Sequence, residues 1–173
     1  MIRRNTVFAL CTLLFAACSS PKNASEQTVT DSTMKSPQDS TVTRQAITGK
    51  MALLSAAKIG APINIKFTVY NTTDTAAKFC KWHTPFEKLM SKYLDVKDAD
   101  GNEANYIGPM AKRIMPPPAD SYITLNPGDS TAVDFDLTQG YAIDKPGTYT
   151  IKYNAVGMSG IAIEKDLQIN IVK

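Results

Sequence analysis

The sequence predicts an all-β sandwich, on three observations. From about residue 46 onward, apolar residues recur with a period of two in short runs. Clusters of Asn, Asp, Pro and Gly separate those runs at regular spacing. No long stretch carries the helical period. A strand that alternates in this way buries one face against a facing sheet, which is how sandwiches and barrels are built.

Ile63, Ile65, Phe67 and Val69 alternate with Asn64, Lys66 and Thr68, so a half-buried strand is expected there. Asn71-Thr72-Thr73-Asp74 is a turn, and Ala76 to Trp82 is the next strand candidate. Tyr93 to Val96, the Asp98–Asn102 turn and Ala104 to Ile107 read as a hairpin. Tyr122 to Leu125 stops at Asn126-Pro127-Gly128-Asp129. Thr131 to Leu137 places Val133, Phe135 and Leu137 on one face. After the Lys145-Pro146-Gly147 turn come Tyr149 to Tyr153, and Leu167 to Ile171 closes the pattern. Residues 46–173 suffice for one core.

Ahead of the domain, Arg3 and Arg4 precede an apolar run, Val7 to Ala17, that ends in Ala16-Ala17-Cys18. A basic start, a short greasy stretch and a small-residue cleavage site form a secretory signal. The run is too short to span a bilayer, which takes about 20 apolar residues. Ala16-Ala17-Cys18 resembles the lipobox of bacterial lipoproteins. The resemblance implies a signal peptide over 1–18, acylation of Cys18 and a lipid anchor in the cell envelope. Ser19 and Ser20, where an Asp would retain such proteins, imply the outer membrane. Acyl chains contribute about 0.8 kcal/mol per buried methylene, so several hold a protein stably.

Residues 19–45 are rich in Ser and Thr and have no aromatic residue, so a disordered tether is expected. Asp31-Ser32-Thr33 and Asp39-Ser40-Thr41 resemble a short bacterial O-glycosylation signal; a plain linker is the competing reading. The net charge of +3 falls to +1 without Arg3 and Arg4, so no basic face for nucleic acid is expected. With Cys11 in the leader and Cys18 acylated, only Cys80 remains. An internal disulfide is then excluded, and a buried thiol is expected.

Gly147-Thr148-Tyr149-Thr150-Ile151 resembles the tyrosine corner of immunoglobulin-like sandwiches, in which a Tyr hydroxyl bonds back to nearby backbone. Ile151 stands where an antibody domain has Cys, and Trp82 is a candidate for the buried inter-sheet Trp. The expected fold is therefore an immunoglobulin-like β-sandwich over 46–173.

Two segments fit no strand. Residues 80–90 hold the chain's single Trp and single His, Trp82 and His83, with Glu87 following. Residues 106–118 hold Lys112-Arg113 and then Pro116-Pro117-Pro118, which should stiffen an extended loop. Trp82, His83, Glu87, Lys112 and Arg113 are the candidate partner-binding residues.

Several blocks follow one another in order: Asn71 to Asp74, Lys81 to Pro85 with Glu87, Tyr106 to Met110 with Lys112-Arg113, Pro127 to Ser130, and Pro146 to Tyr149. Together they resemble the amino-terminal immunoglobulin-like pro-domain of bacterial deuterolysin-type (aspzincin) peptidyl-Lys metalloendopeptidases. Those enzymes continue into a catalytic domain with a His-Glu-x-x-His helix, where two His one turn apart bind zinc. This chain has one His and is expected to be the pro-domain standing alone, with no catalytic residue, metal or cofactor. The resemblance implies a secreted metallopeptidase as partner, met as inhibitor or chaperone.

His83 has two readings: a structural hydrogen bond that orders its loop, or a group presented to a peptidase cleft. Lys112 and Arg113 likewise read as solvated charges or as a basic bait. An envelope accessory lipoprotein without a peptidase link, or a small metal-binding domain using His83, are the alternatives for the whole chain.

Overall fold

The computed structural model of the chain describes residues 46–173. The expected signal peptide, acylated Cys18 and Ser/Thr-rich tether lie outside the described residues.

Among the described residues, ten strands form an all-β sandwich, as the alternation predicts. They are β1 (Ile47–Leu53), β2 (Ala57–Lys58), β3 (Asn64–Asn71), β4 (Ala77–Cys80), β5 (Leu94–Asp98), β6 (Tyr122–Leu125), β7 (Ser130–Asp136), β8 (Gly147–Tyr153), β9 (Ile161–Ile163) and β10 (Leu167–Val172). One sheet runs β7-β3-β1-β9, the other β2-β10-β8-β5, and β4 pairs with β6 as a separate ladder. The β1–β9 and β2–β10 pairings are parallel and the others antiparallel.

The core follows from the period of two. Ile65, Phe67 and Val69 of β3 are fully buried, as are Val96 of β5 and Ile151 of β8, and Ile169 and Ile171 of β10 join them. Each such side chain contributes about 1.5–3 kcal/mol by leaving water. Phe67 lies 5.6 Å from the Tyr153 ring, which packs two strands of different sheets together. Tyr149 makes the expected corner: its hydroxyl donates to the Lys145 carbonyl at 3.0 Å.

β1 has no clear alternation in sequence because Gly49 interrupts it. A Cβ there would come within 2.9 Å of Ile161 and 3.2 Å of Ile163, so the β9 side chains cover the glycine. β2 and β9 are too short to show a period.

The expected 93–107 hairpin forms only at its turn. Ala104 donates to Val96 at 2.8 Å and Glu103 bridges Lys97, but the chain then leaves β5. Ile107 donates to Gly140 at 2.8 Å and Tyr106 bridges Tyr141. The Tyr106 ring packs edge-on against Tyr141 at 5.3 Å, and its hydroxyl lies 2.7 Å from the Leu89 carbonyl. Those contacts draw the return segment away from its ladder.

Asn71 shows why one sequence block matters to the fold. It is buried, and its amide nitrogen lies within hydrogen-bond distance of the carbonyls of Thr75, Leu125 and Asn126. Its carbonyl side accepts from Thr73. One side chain thus ties the end of β3 to the β6–β7 turn.

Candidate functional site

The strand expected to reach Trp82 ends at Cys80, and the chain then turns sharply. Thr84 sets that turn. Its hydroxyl donates to the Lys81 carbonyl at 2.5 Å and accepts from the Phe86 amide at 3.2 Å, which caps the 3-10 turn Pro85–Glu87. Pro85 suits the start of such a turn, where its missing N–H costs nothing. Phe86 fixes the turn to the sandwich, 5.2 Å from Phe79 and 6.3 Å from Phe67.

His83 lies in the left-handed region at φ 59°, which a non-glycine residue holds only when its surroundings fix it. Two bonds do so. Its amide donates to Glu87 Oε1 at 2.8 Å, and its carbonyl accepts from the Tyr153 hydroxyl at 3.0 Å. That hydroxyl also lies 2.7 Å from Ser159 Oγ, in the one-turn helix α1 (Val156–Ser159). His83 does order its loop, but through backbone atoms rather than through its imidazole.

Arg113 closes the arrangement from the other segment. Its guanidinium pairs with Glu87 Oε2 and lies 4.8 Å above the Trp82 ring. The pair is largely covered, with side-chain exposures of 22% for Arg113 and 13% for Glu87. A guanidinium over an indole gains cation–π attraction. Ala111 donates to the Met90 carbonyl at 2.8 Å, which aligns the two segments just before Arg113.

Two sequence expectations are corrected by this geometry. Trp82 is buried, but it lies outside the main hydrophobic cluster, beneath Arg113, rather than between the sheets. Arg113 is not a solvated charge: Glu87 and Trp82 hold it. Lys112 is exposed. The structure therefore joins Trp82, the His83 backbone, Glu87 and Arg113 in one fastening, and leaves Lys112 outside it.

The chemistry of this fastening is limited by its own bonds. One Glu87 oxygen accepts from the His83 amide and the other from Arg113, so the carboxylate is engaged on both sides. Cys80, three residues before His83, is buried, and burial raises its thiol above the ordinary value, which disfavours a nucleophilic thiolate. Among the described residues, no three His, Cys, Asp or Glu side chains cluster as metal ligands would.

Sequence reasoning missed two features here. The Tyr153 hydroxyl, 70 residues from His83 in the chain, had no local signal. The exposure of Ile107, Met110, Ile114 and Met115 was also missed, because an extended loop has no period that tells which side chains face outward.

An all-β sandwich with a tyrosine corner defines an immunoglobulin-like module. Residues 50–158 match the family model of the immunoglobulin-like domain, and the chain belongs to that family. It is 27% identical over 109 residues to a probable neutral protease 2 homolog B of Trichophyton rubrum. The same identity and length hold for a probable neutral protease 2 homolog of Arthroderma benhamiae. Each alignment covers 61% of this chain and 28% of the relative, so the chain spans just over a quarter of the length of these proteins. Among solved structures, a β-glucosidase of Listeria innocua overlaps with a TM-score of 0.36 at 13% identity, over 72% of this chain and 16% of that one. An overlap of that size carries no functional weight.

Proposed function

We propose that this chain is a non-catalytic, protein-binding lipoprotein of the bacterial cell envelope, related to metallopeptidase pro-domains. In this reading the leader directs export, Cys18 carries the lipid, and the sandwich meets a secreted metallopeptidase as inhibitor or chaperone. The observation that carries it is the 27% identity to proteins named as neutral proteases over only 28% of their length. The ordered blocks from Asn71 to Tyr149 support assigning that shared portion to a pro-domain. The state of Glu87 supports a binding rather than a catalytic role, because both its oxygens hold the fold together.

The test adds the purified chain to the Trichophyton rubrum neutral protease 2 homolog and follows casein hydrolysis. Slowed hydrolysis with saturation at micromolar concentration is expected. Unchanged hydrolysis together with no binding in that range would remove the peptidase link and leave an envelope accessory role. In the native host, palmitate labelling that Cys18→Ala abolishes is expected; labelling that survives the change would refute the anchor.

A further inference from the structure

Residues 107–118 expose more hydrocarbon than the fold requires. Ile107, Met110, Ile114 and Met115 have relative exposures of 62%, 70%, 84% and 61%. Scattered exposed apolar residues are ordinary, but four large ones within nine positions concentrate exposed hydrocarbon on one loop. The backbone that carries them is fixed at several points. Ile107 is bonded to Gly140, Ala111 to Met90, the Tyr106 hydroxyl lies 2.8 Å from the Pro109 carbonyl, and Arg113 is held by Glu87 and Trp82. Pro116, Pro117 and Pro118 restrict the chain beyond. A loop held in this way loses little conformational entropy on docking.

Charge narrows the occupant. Between Glu103 and Asp120 the chain has no acidic residue, and Glu87 neutralises Arg113. Lys112 is then the loop's uncompensated charge, and exposed Lys88 follows Glu87 on the adjoining turn. We propose that residues 107–118 are a docking surface whose occupant is an apolar, acid-rimmed cleft on a partner protein; this rests on the binding role proposed above. A lipid surface fits less well. Interfacial anchors draw on exposed aromatic rings, whereas residues 107–118 have none, and the adjoining Tyr106 is half-buried with its hydroxyl engaged.

The test uses the same neutral protease 2 homolog as probe and compares the purified chain with its Ile114→Ser/Met115→Ser variant. Neither position takes part in the fastening, so the variant should unfold at the wild-type urea midpoint. Its affinity should fall on the order of 30-fold, the effect of losing a buried anchor. Lys112→Glu should slow association roughly tenfold at low salt, with the difference shrinking as salt is raised. Absence of wild-type binding would overturn both this surface and the binding role. Wild-type binding that the double variant retains would overturn the surface alone. Vesicles of phosphatidylglycerol and phosphatidylethanolamine provide the second arm: uptake by the wild type that the double variant loses would reassign the patch to lipid and overturn the protein occupant.

Discussion

Residues 81–90 and 107–118 lie against each other, joined through Arg113, and they treat solvent in opposite ways. The first segment turns polar atoms inward. The His83 amide and carbonyl, the Thr84 hydroxyl and the Glu87 carboxylate all find partners within the domain. The second turns apolar side chains outward, with Ile114 the most exposed of them. A segment that buries backbone polarity must satisfy it, because an orphaned buried group costs about 1–3 kcal/mol. A segment that exposes hydrocarbon gains nothing from folding by doing so. The contrast suggests that 81–90 serves the fold and that 107–118 is what the fold holds in place.

Removing the middle of the fastening is the strongest way to break that contrast. Trp82→Ala should destabilise the domain by about 3 kcal/mol, the lower end for a large buried aromatic, since Trp82 lies outside the main cluster. It should also release Arg113 from its position over the indole and loosen 107–118. Urea unfolding measures the first effect, and amide exchange at Ala111 and Arg113 measures the second. A loss under about 1 kcal/mol with unchanged exchange would mean that the loop does not depend on 81–90.

A smaller effect is expected from the ion pair. Arg113→Ala should cost about 2 kcal/mol. Glu87 loses its counter-charge but keeps the His83 amide and some water, so the cost is below that of a fully buried pair. Arg113→Lys should fall between, because a lysine keeps the charge but not the guanidinium placed over Trp82. A double-mutant cycle with Glu87→Ala should return a coupling of about 1 kcal/mol. Strict additivity would show that the two side chains act independently.

The same contrast explains what was legible in the sequence. The sheets were, because a half-buried strand writes its burial as a period of two: Ile63, Ile65, Phe67 and Val69 are buried as that pattern requires. Tyr149 was too, because its corner is local, with donor and acceptor four residues apart. The fastening was not. Glu87 and Arg113 are 26 residues apart, and an ion pair across two loops leaves no period. His83 stood out as the chain's one imidazole, yet it contributes backbone atoms that any residue has. Its left-handed conformation also has no signature in composition. Ile114 and Met115 lie in the segment expected to be an extended loop, and a loop has no period that tells which side chains face outward, so their exposure had no signal either.

The gentlest probe of the fastening is the Tyr153 hydroxyl, which links the His83 carbonyl to Ser159. Tyr153→Phe removes one hydrogen-bonding group and should cost about 1 kcal/mol at pH 8. Its clearer signature lies at high pH. Burial pushes the phenols of Tyr93, Tyr141 and Tyr153 above the ordinary value of 10.0. The folded state then keeps protons that the unfolded chain releases, so their contribution is complete below pH 10 and declines as pH rises beyond it. Each such group lowers stability by about 1.4 kcal/mol per pH unit within that window. Stability should therefore fall steeply above pH 10, and Tyr153→Phe should make the decline shallower by the share of one proton. Urea midpoints at pH 8, 10 and 11 measure this. A variant that declines as steeply as the wild type would show that the Tyr153 phenol is not sheltered.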